Sequence, residues 1–227
     1  MKNGKLKLIF TIDTADKYGT IPNLFECDFG KDGNCGVSYI MDTFEKYDMR
    51  AVFFVNIYEH LRYTGKYDRY VENLIKEISE RGHEVGLHSH RDMTLGFYND
   101  ELPDLSFEQQ QEVIRYGVEF IEKNINKKPI SFRGGGYKVN DDTFKVLREN
   151  GIKYDSSYFY GNSSNTFAKY NALNLVCKAS DEVDGLIEFP IIRAVKRNGD
   201  LAKLDLNQMT YTEMVEVLEQ MKKRDGF

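Results

Sequence analysis

The sequence has no long apolar run and no excess of basic charge, and each absence excludes a class of protein. Its longest apolar stretch, residues 51–55, is far too short to cross a bilayer. The net charge is -5, with 31 basic and 36 acidic residues, whereas a nucleic-acid-binding face needs a basic surface. The apolar stretch near Met1 is also too brief for a signal peptide, so a cytoplasmic location is expected.

Cysteine is scarce as well. The chain contains Cys27, Cys35 and Cys177, an odd set without a Cys-x-x-Cys pair. This pattern favours reduced thiols in a cytosolic compartment. The alternative is a Cys27–Cys35 disulfide that closes a loop. No internal repeat or low-complexity tract divides the 227 residues, a length that suits one domain. We therefore expect a single domain over residues 1–227.

Apolar segments that alternate between strand-like and helix-like spacing organise the chain. Strands are predicted at residues 6–12, 51–56, 84–88, 129–132, 152–154 and 186–189. Helices are predicted at residues 37–47, 70–80, 106–124, 140–149 and 211–223. Strands that alternate with helices indicate right-handed crossovers and a parallel sheet.

Polar side chains stand at or just past the ends of four of these strands. They are Asp13 and Asp16, His88, Arg133 and Asp155. In a closed barrel such strand ends meet on one face, where barrel active sites are built. An open doubly wound sheet would need a glycine-rich phosphate turn after its first strand, and none follows here. The sequence therefore predicts a barrel with a polar rim.

Residues 83–92 hold three of the four histidines together with two carboxylates. His88 and His90 point the same way only in extended chain, and His88 and Asp92 only in a helical turn. Either pair could hold a divalent metal through imidazole nitrogen with a carboxylate added. The alternative for this segment alone is a solvated loop with incidental histidines.

Four motifs, in order, resemble those of the polysaccharide deacetylase (NodB-homology) family. Residues 11–14, Thr-Ile-Asp-Thr, resemble its Thr-Phe-Asp-Asp motif, and residues 82–89 resemble Gly-His-Glu-Ile-Gly-x-His-Ser. Residues 131–137 are similar to its Arg-x-Pro-Tyr motif, and residues 154–157 stand where a fourth motif places an aspartate. The resemblance, which covers residues 6–190, implies an α/β fold, a distorted (β/α)7 barrel.

The resemblance also implies an activity, hydrolysis of the amide of an N-acetylated sugar with one divalent metal. Zinc is expected, with cobalt, nickel and manganese as alternatives. Asp13 would be the general base for water activated by the metal. Arg133 would hold Asp13 ionised, and Asp155 would hold Arg133 in turn.

The segment Gly135, Gly136 and Tyr137 lies where the family places an oxyanion-stabilising N–H. Gly135 stands where the family has proline. No histidine follows His90, although the family's last motif supplies one as general acid. We expect the chain to stop before a seventh strand that carries it, with a redesigned acid as the alternative.

The metal ligands depart from the family pattern in two places. Thr14 occupies the position of a ligating aspartate, and Asp16 is the nearest carboxylate. Asp92 stands where a second histidine is expected, whereas His88-Ser-His90 matches a surface-polysaccharide-biosynthesis subgroup. The expected ligands are therefore His88, Asp16 and either His90 or Asp92.

These features predict a cytoplasmic N-deacetylase for an acetamido sugar of a surface-glycan precursor, lipid-linked or nucleotide-linked. The alternatives are an amidohydrolase of the same fold for a small amide and a non-catalytic glycan-binding protein. His83 is expected to be structural and His60 to lie at the surface. The tyrosine-rich residues 154–160 are expected at the barrel rim, with sugar stacking as the alternative.

Overall fold

The structure, a computed structural model, describes residues 8–15, 36–62, 69–90, 101–159, 181–183, 185–196 and 199–222. Its strands are β1 (Thr11–Thr14), β2 (Val52–Val55), β3 (Glu84–Ser89), β4 (Ser131–Gly134), β5 (Tyr154–Asp155), β6 (Asp181–Val183), β7 (Leu186–Glu188), β8 (Arg193–Val195) and β9 (Leu201–Lys203). Its α-helices are α1 (Gly36–Lys46), α2 (Tyr70–Glu80), α3 (Phe107–Ile125), α4 (Asp141–Glu149) and α5 (Tyr211–Met221).

The main sheet has the order β1-β2-β3-β4-β5-β7-β6, and every pair from β1 to β7 is parallel. The parallel strands therefore follow one another in space as they do in sequence, without the reversal of a doubly wound sheet, and β6 adds an antiparallel strand beside β7. This order confirms the α/β class with a parallel, singly wound sheet. The carboxyl ends of β1, β3, β4 and β5 consequently lie along the same edge.

The helices cover the sheet with amphipathic faces. In α2 the buried residues recur at the spacing of one helix face, and they join β2 and β3 in one large apolar cluster. The α2 members are Val71, Leu74, Ile75 and Ile78. Of the helices in the described ranges, none is both long and apolar enough to pass through a membrane.

Side-chain capping explains where α3 and α4 begin. Ser106 starts α3 with a reciprocal capping box, in which Gln109 N donates to Ser106 Oγ at 3.3 Å and Ser106 N donates to Gln109 Oε1 at 2.9 Å. The start of α3 is therefore the predicted one. Asn140 and Thr143 form the same arrangement at α4.

Two expectations about strands are wrong in detail. The first strand was expected at residues 6–12, but β1 begins at Thr11, and Leu8 and Ile9 are exposed. Pairing with β2 sets this boundary, because Thr11 faces Val52 in the register. The strands β6, β8 and β9 were not predicted, since each has three residues and only one large apolar side chain among them.

The antiparallel hairpin of β8 and β9 forms a second, two-stranded sheet. A small apolar cluster attaches it to α5 through Ala202, Met209, Val217 and Met221. Lys203, the last residue of β9, directly follows Ala202 of this cluster.

Gly117 of α3 provides a test of the packing between helix and sheet. A Cβ at this position would lie 2.6 Å from Leu87 Cδ1 and 2.7 Å from the hydroxyl of Tyr58. That hydroxyl donates a 2.8 Å hydrogen bond to the Val113 carbonyl, so it is not free to move aside. Alanine should gain up to about 1 kcal/mol of helix propensity but lose roughly 1–3 kcal/mol to overpacking.

We expect Gly117→Ala to lower the free energy of unfolding in urea titrations. Glu119→Ala, at an exposed position on the same helix, is the control and should change stability by less than about 0.5 kcal/mol. A Gly117→Ala protein more stable than the wild type would contradict the packing described.

Candidate active site

The centre of the candidate site is an ion pair between β1 and β4. Arg133 Nη1 donates to Asp13 Oδ1 at 2.7 Å. The Arg133 side chain is 4% exposed, and its guanidinium lies 4.4 Å from the centre of the Phe54 ring. The contact expected between Asp13 and Arg133 is thus present, and it joins two strands that are not neighbours in the sheet.

Further hydrogen bonds fix the orientation of the guanidinium. Arg133 Nη2 donates to Thr11 Oγ1 at 3.0 Å and to Ser156 Oγ at 2.7 Å. Its Nε donates to the Ser156 carbonyl at 3.0 Å. Because every guanidinium nitrogen has an acceptor, the fork can present Nη1 to Asp13 in only one orientation.

The carboxylate of Asp155 lies beside Ser157. It accepts hydrogen bonds from Ser157 Oγ at 2.7 Å and from Ser157 N at 3.3 Å. Ser157 Oγ in turn accepts from Gly134 N at 2.8 Å. Among the described residues, the guanidinium of Arg133 donates to Asp13, Thr11 and Ser156. Asp155 therefore supports the turn after β4, and a catalytic role for it stays a prediction.

The surroundings of Asp13 favour its charged form. Burial raises the pKa of this carboxyl, but the charges of Arg133 and His88 and the hydrogen bond from Arg133 outweigh it, so the pKa lies below its ordinary value. His88 is neutral at pH 7, so Arg133 is the nearest charge that stabilises the Asp13 carboxylate at that pH. The Asp13 side chain is 37% exposed, so this ionised carboxylate is accessible to solvent.

His88, at the carboxyl end of β3, is buried and oriented by the neighbouring strand. Its Nδ1 lies 2.7 Å from the carbonyl oxygen of Arg133, which can only accept, so Nδ1 carries the proton. Burial lowers the pKa of His88 to about 4, against the opposing effect of Asp13. At pH 7 the ring is neutral and Nε2 keeps its lone pair, the state in which histidine binds a metal.

His90 lies beside His88 in the conformation that a His-x-His pair requires. The two rings are 4.8 Å apart and nearly perpendicular, and β3 is extended up to Ser89. Gly135 packs against this segment: a Cβ there would lie 2.2 Å from the Ser89 carbonyl and 3.0 Å from His90 Nδ1. Glycine in place of the family's proline thus lets the turn after β4 approach the histidine pair.

The predicted metal ligands are only partly within the described residues. Asp16 and Asp92 lie outside them, so their places as ligands stay predictions. In the described part of the chain, no group of three His, Cys, Asp or Glu side chains could hold a metal. The neutral, oriented His88 with His90 beside it nevertheless fits two imidazole ligands of a divalent ion, which would need further ligands.

The turn after β4 holds the predicted oxyanion segment. Gly135–Tyr137 forms one helical turn, in which Gly136 and Tyr137 both have a φ of 61°. A bulky residue in the left-handed region is uncommon, and strained backbone of this kind clusters at functional sites. Donation from this turn to a substrate oxygen stays a prediction.

The structure separates the remaining histidines from this site. His83 accepts from Ala51 N at 3.2 Å and meets the Phe53 ring edge-on, which is the structural place expected. His60 was expected at the surface, but it is half-buried. Its Nε2 accepts from the Tyr116 hydroxyl at 2.8 Å, and the two rings are stacked.

Sequence reasoning missed Thr11 and Ser156, the residues that orient Arg133. The only sequence signal for the latter is its place directly after Asp155, where the fourth motif has an aspartate. Lys203 was also missed, and its charge contributes to the lowered pKa of Asp13. No motif marks Lys203, because its hairpin was not predicted.

Comparisons with known proteins agree with the geometry. The polysaccharide deacetylase family model matches residues 20–154, more than half of the chain. The chain belongs to the polysaccharide deacetylase family. Together with the sequential parallel sheet, this membership confirms the predicted fold class, a distorted barrel of that family's type.

Curated relatives match shorter stretches. A peptidoglycan deacetylase-like protein, FGM2, of Gibberella zeae is 29% identical over 82 residues, which are 36% of this chain and 22% of the relative. A peptidoglycan-N-acetylglucosamine deacetylase of Bacillus cereus is 28% identical over 114 residues, 50% of this chain and 46% of the relative. The chain thus spans less than half the length of these two relatives.

One solved structure with a similar outline is a family 4 carbohydrate esterase from Streptomyces lividans in complex with acetate. The TM-score is 0.44 and the identity 14%, over 67% of this chain and 62% of the esterase. At this TM-score the likeness supports no further conclusion.

The ion pair predicts a pH-dependent stability. Asp13→Asn should lower the free energy of unfolding at pH 7, because it leaves the buried Arg133 charge without its carboxylate. Solvent screening at the half-exposed Asp13 reduces the loss to about 1–2 kcal/mol. Since the folded-state pKa is below the ordinary 3.8, the wild type holds this stability above that value and loses it as the pH falls through the folded-state pKa.

The measurement is urea unfolding of both proteins between pH 2 and pH 7, roughly the range that spans this titration. Asp142→Asn removes the carboxylate that pairs with Lys145 at the surface, and this control should differ little from the wild type at pH 7. An Asp13→Asn protein as stable as the wild type at pH 7 would show that the ion pair is energetically unimportant.

Proposed function

We propose that this chain is a metal-dependent hydrolase domain that removes the N-acetyl group from an amino sugar of a surface-glycan precursor. One observation carries the proposal: a single residue of β4, Arg133, contacts both the candidate base Asp13 and the candidate metal ligand His88. The Arg133 guanidinium binds Asp13, and the Arg133 carbonyl accepts from His88. In the proposed scheme both groups act at one reaction centre.

A divalent metal held by His88, by His90 or Asp92 and by Asp16 would polarise the amide carbonyl and lower the pKa of a bound water molecule. The chain's own residues would do the rest. Asp13, ionised beside Arg133, would take the proton of the attacking water. The N–H groups of the segment Gly135–Tyr137 would donate to the developing oxyanion.

The cellular setting and the domain content belong to the same proposal. The odd, motif-free set of cysteines favours a reducing compartment, so the substrate would be a cytoplasmic, lipid-linked or nucleotide-linked precursor. We propose that residues 1–227 belong to a single deacetylase domain.

A non-catalytic relative is the second candidate, and Thr14 favours it. This residue stands in place of a ligating carboxylate, and its hydroxyl is buried without a hydrogen-bond partner among the described residues. Metal analysis separates the two candidates. A protein that holds no stoichiometric metal after incubation with zinc or cobalt would support the non-catalytic one.

The first prediction from this function concerns the metal. His88→Ala should abolish stoichiometric zinc binding, measured by elemental analysis after dialysis, because it removes an oriented neutral imidazole. The far-ultraviolet circular dichroism spectrum should stay unchanged. His60→Gln removes an imidazole outside the site and is the matched control, which should keep its metal. Full metal content in His88→Ala would remove the proposed centre.

The second concerns the base. Asp13→Asn should retain the metal yet lose roughly 10²–10⁴-fold in turnover, because asparagine is nearly isosteric but cannot accept the proton. Acetate release from N-acetylated sugars is the assay, at pH 7 and at a temperature where circular dichroism shows the variant folded. Wild-type turnover in this variant would place the base elsewhere, with Asp16 the next residue to test.

A further inference from the structure

Lys203 lies at the end of β9 beside two aromatic rings. Its Nζ donates to the Tyr137 hydroxyl at 3.0 Å and lies 4.6 Å from the centre of that ring. The Phe159 ring centre is 5.4 Å from the same Nζ and 5.3 Å from the Tyr137 ring. The guanidinium of Arg193, from β8, lies 4.8 Å from the Phe159 ring. We name Tyr137, Phe159, Arg193 and Lys203 the cation–aromatic cluster.

The cation–aromatic cluster is next to the candidate active site in the sequence. Tyr137 ends the turn that begins directly after β4, the strand of Arg133. The charge of Lys203 is also one of the influences that lower the pKa of Asp13. A substrate whose scissile amide lies at Asp13 would therefore have part of its sugar or its substituent near Lys203.

Lys203 forms no salt bridge with a carboxylate in the part of the chain that the structure describes, and Asp13 acts on its charge only at longer range. The contacts of Lys203 are the Tyr137 hydroxyl and the two rings, and the side chain is half-buried. Lys196, on the same hairpin, instead pairs with Glu213 at 3.8 Å. A half-buried ammonium without a salt bridge can still bind an anion, and aromatic faces beside it can pack on a sugar ring.

We propose that the cation–aromatic cluster is a substrate subsite that binds an anionic group, a phosphate or carboxylate, carried by the acetamido sugar. Lys203 is the charge that meets the anion, and Tyr137 and Phe159 contact the sugar ring. This inference rests on the proposed function, because it places the sugar at Asp13, and it narrows the substrate to an anionic derivative of the sugar.

Calorimetric titration tests the subsite independently of turnover. The probes are N-acetylglucosamine, its 1-phosphate and the corresponding uronic acid, which share the acetamide and differ in charge. At least one anionic probe should bind the wild type roughly 5–10-fold more tightly than the neutral sugar, in line with a charge-assisted hydrogen bond. That preference should weaken as salt rises. The two anionic probes also distinguish a phosphate from a carboxylate.

Lys203→Gln should lower the affinity for the preferred anionic probe by the same factor and leave the neutral sugar's affinity unchanged. Lys196→Gln, with the same loss of charge on the same hairpin, should keep the preference. Equal affinities for all three probes in the wild type, or a preference that survives Lys203→Gln, would overturn the subsite. Loss of the preference in both lysine variants would do so as well.

The outcome is separable from the proposed function. If no acetate is released but the Lys203-dependent preference is found, the subsite stands and the deacetylase proposal fails. If acetate is released equally from neutral and anionic sugars with equal affinities, the deacetylase proposal stands and the subsite is wrong.

Discussion

The ion pair between Arg133 and Asp13 is the interaction on which the rest of the candidate site depends. A guanidinium that is 4% exposed cannot be solvated, so its charge has to be met by the carboxylate and by fixed acceptors. Those acceptors, Thr11 and Ser156, come from β1 and from the residue after β5. The hydrogen bonds that satisfy the buried charge of Arg133 thus link β4 to β1 and to the end of β5.

The same residue couples the base to the histidine pair. The Arg133 carbonyl accepts from His88 Nδ1, which leaves Nε2 as the nitrogen with a lone pair. Gly135, two residues further, lies against Ser89 and His90 so closely that a Cβ has no room. Displacement of β4 would therefore disturb the protonation of Asp13, the orientation of His88 and the contact at His90 together.

Much of this could be predicted from the sequence, because parallel strands bring their carboxyl ends to one edge. The positions of Asp13, His88 and Arg133 follow from strand patterns and from motifs. The hydrogen-bond acceptors of Arg133 could not be predicted in this way, since backbone carbonyls and common hydroxyl residues have no distinctive sequence pattern. The hydrogen bonds from Arg133 to Ser156 were for that reason not predicted. Lys203 was missed because its three-residue strand holds only one large apolar side chain.

The most direct test of the central claim is acetate release by the zinc-loaded protein from N-acetylated sugars. Acetate and free amine should be released in equal amounts. Their release should stop when a chelator is added and resume when zinc is restored. A protein that holds one zinc ion per chain and releases no acetate from any neutral or anionic N-acetylated sugar would contradict the account.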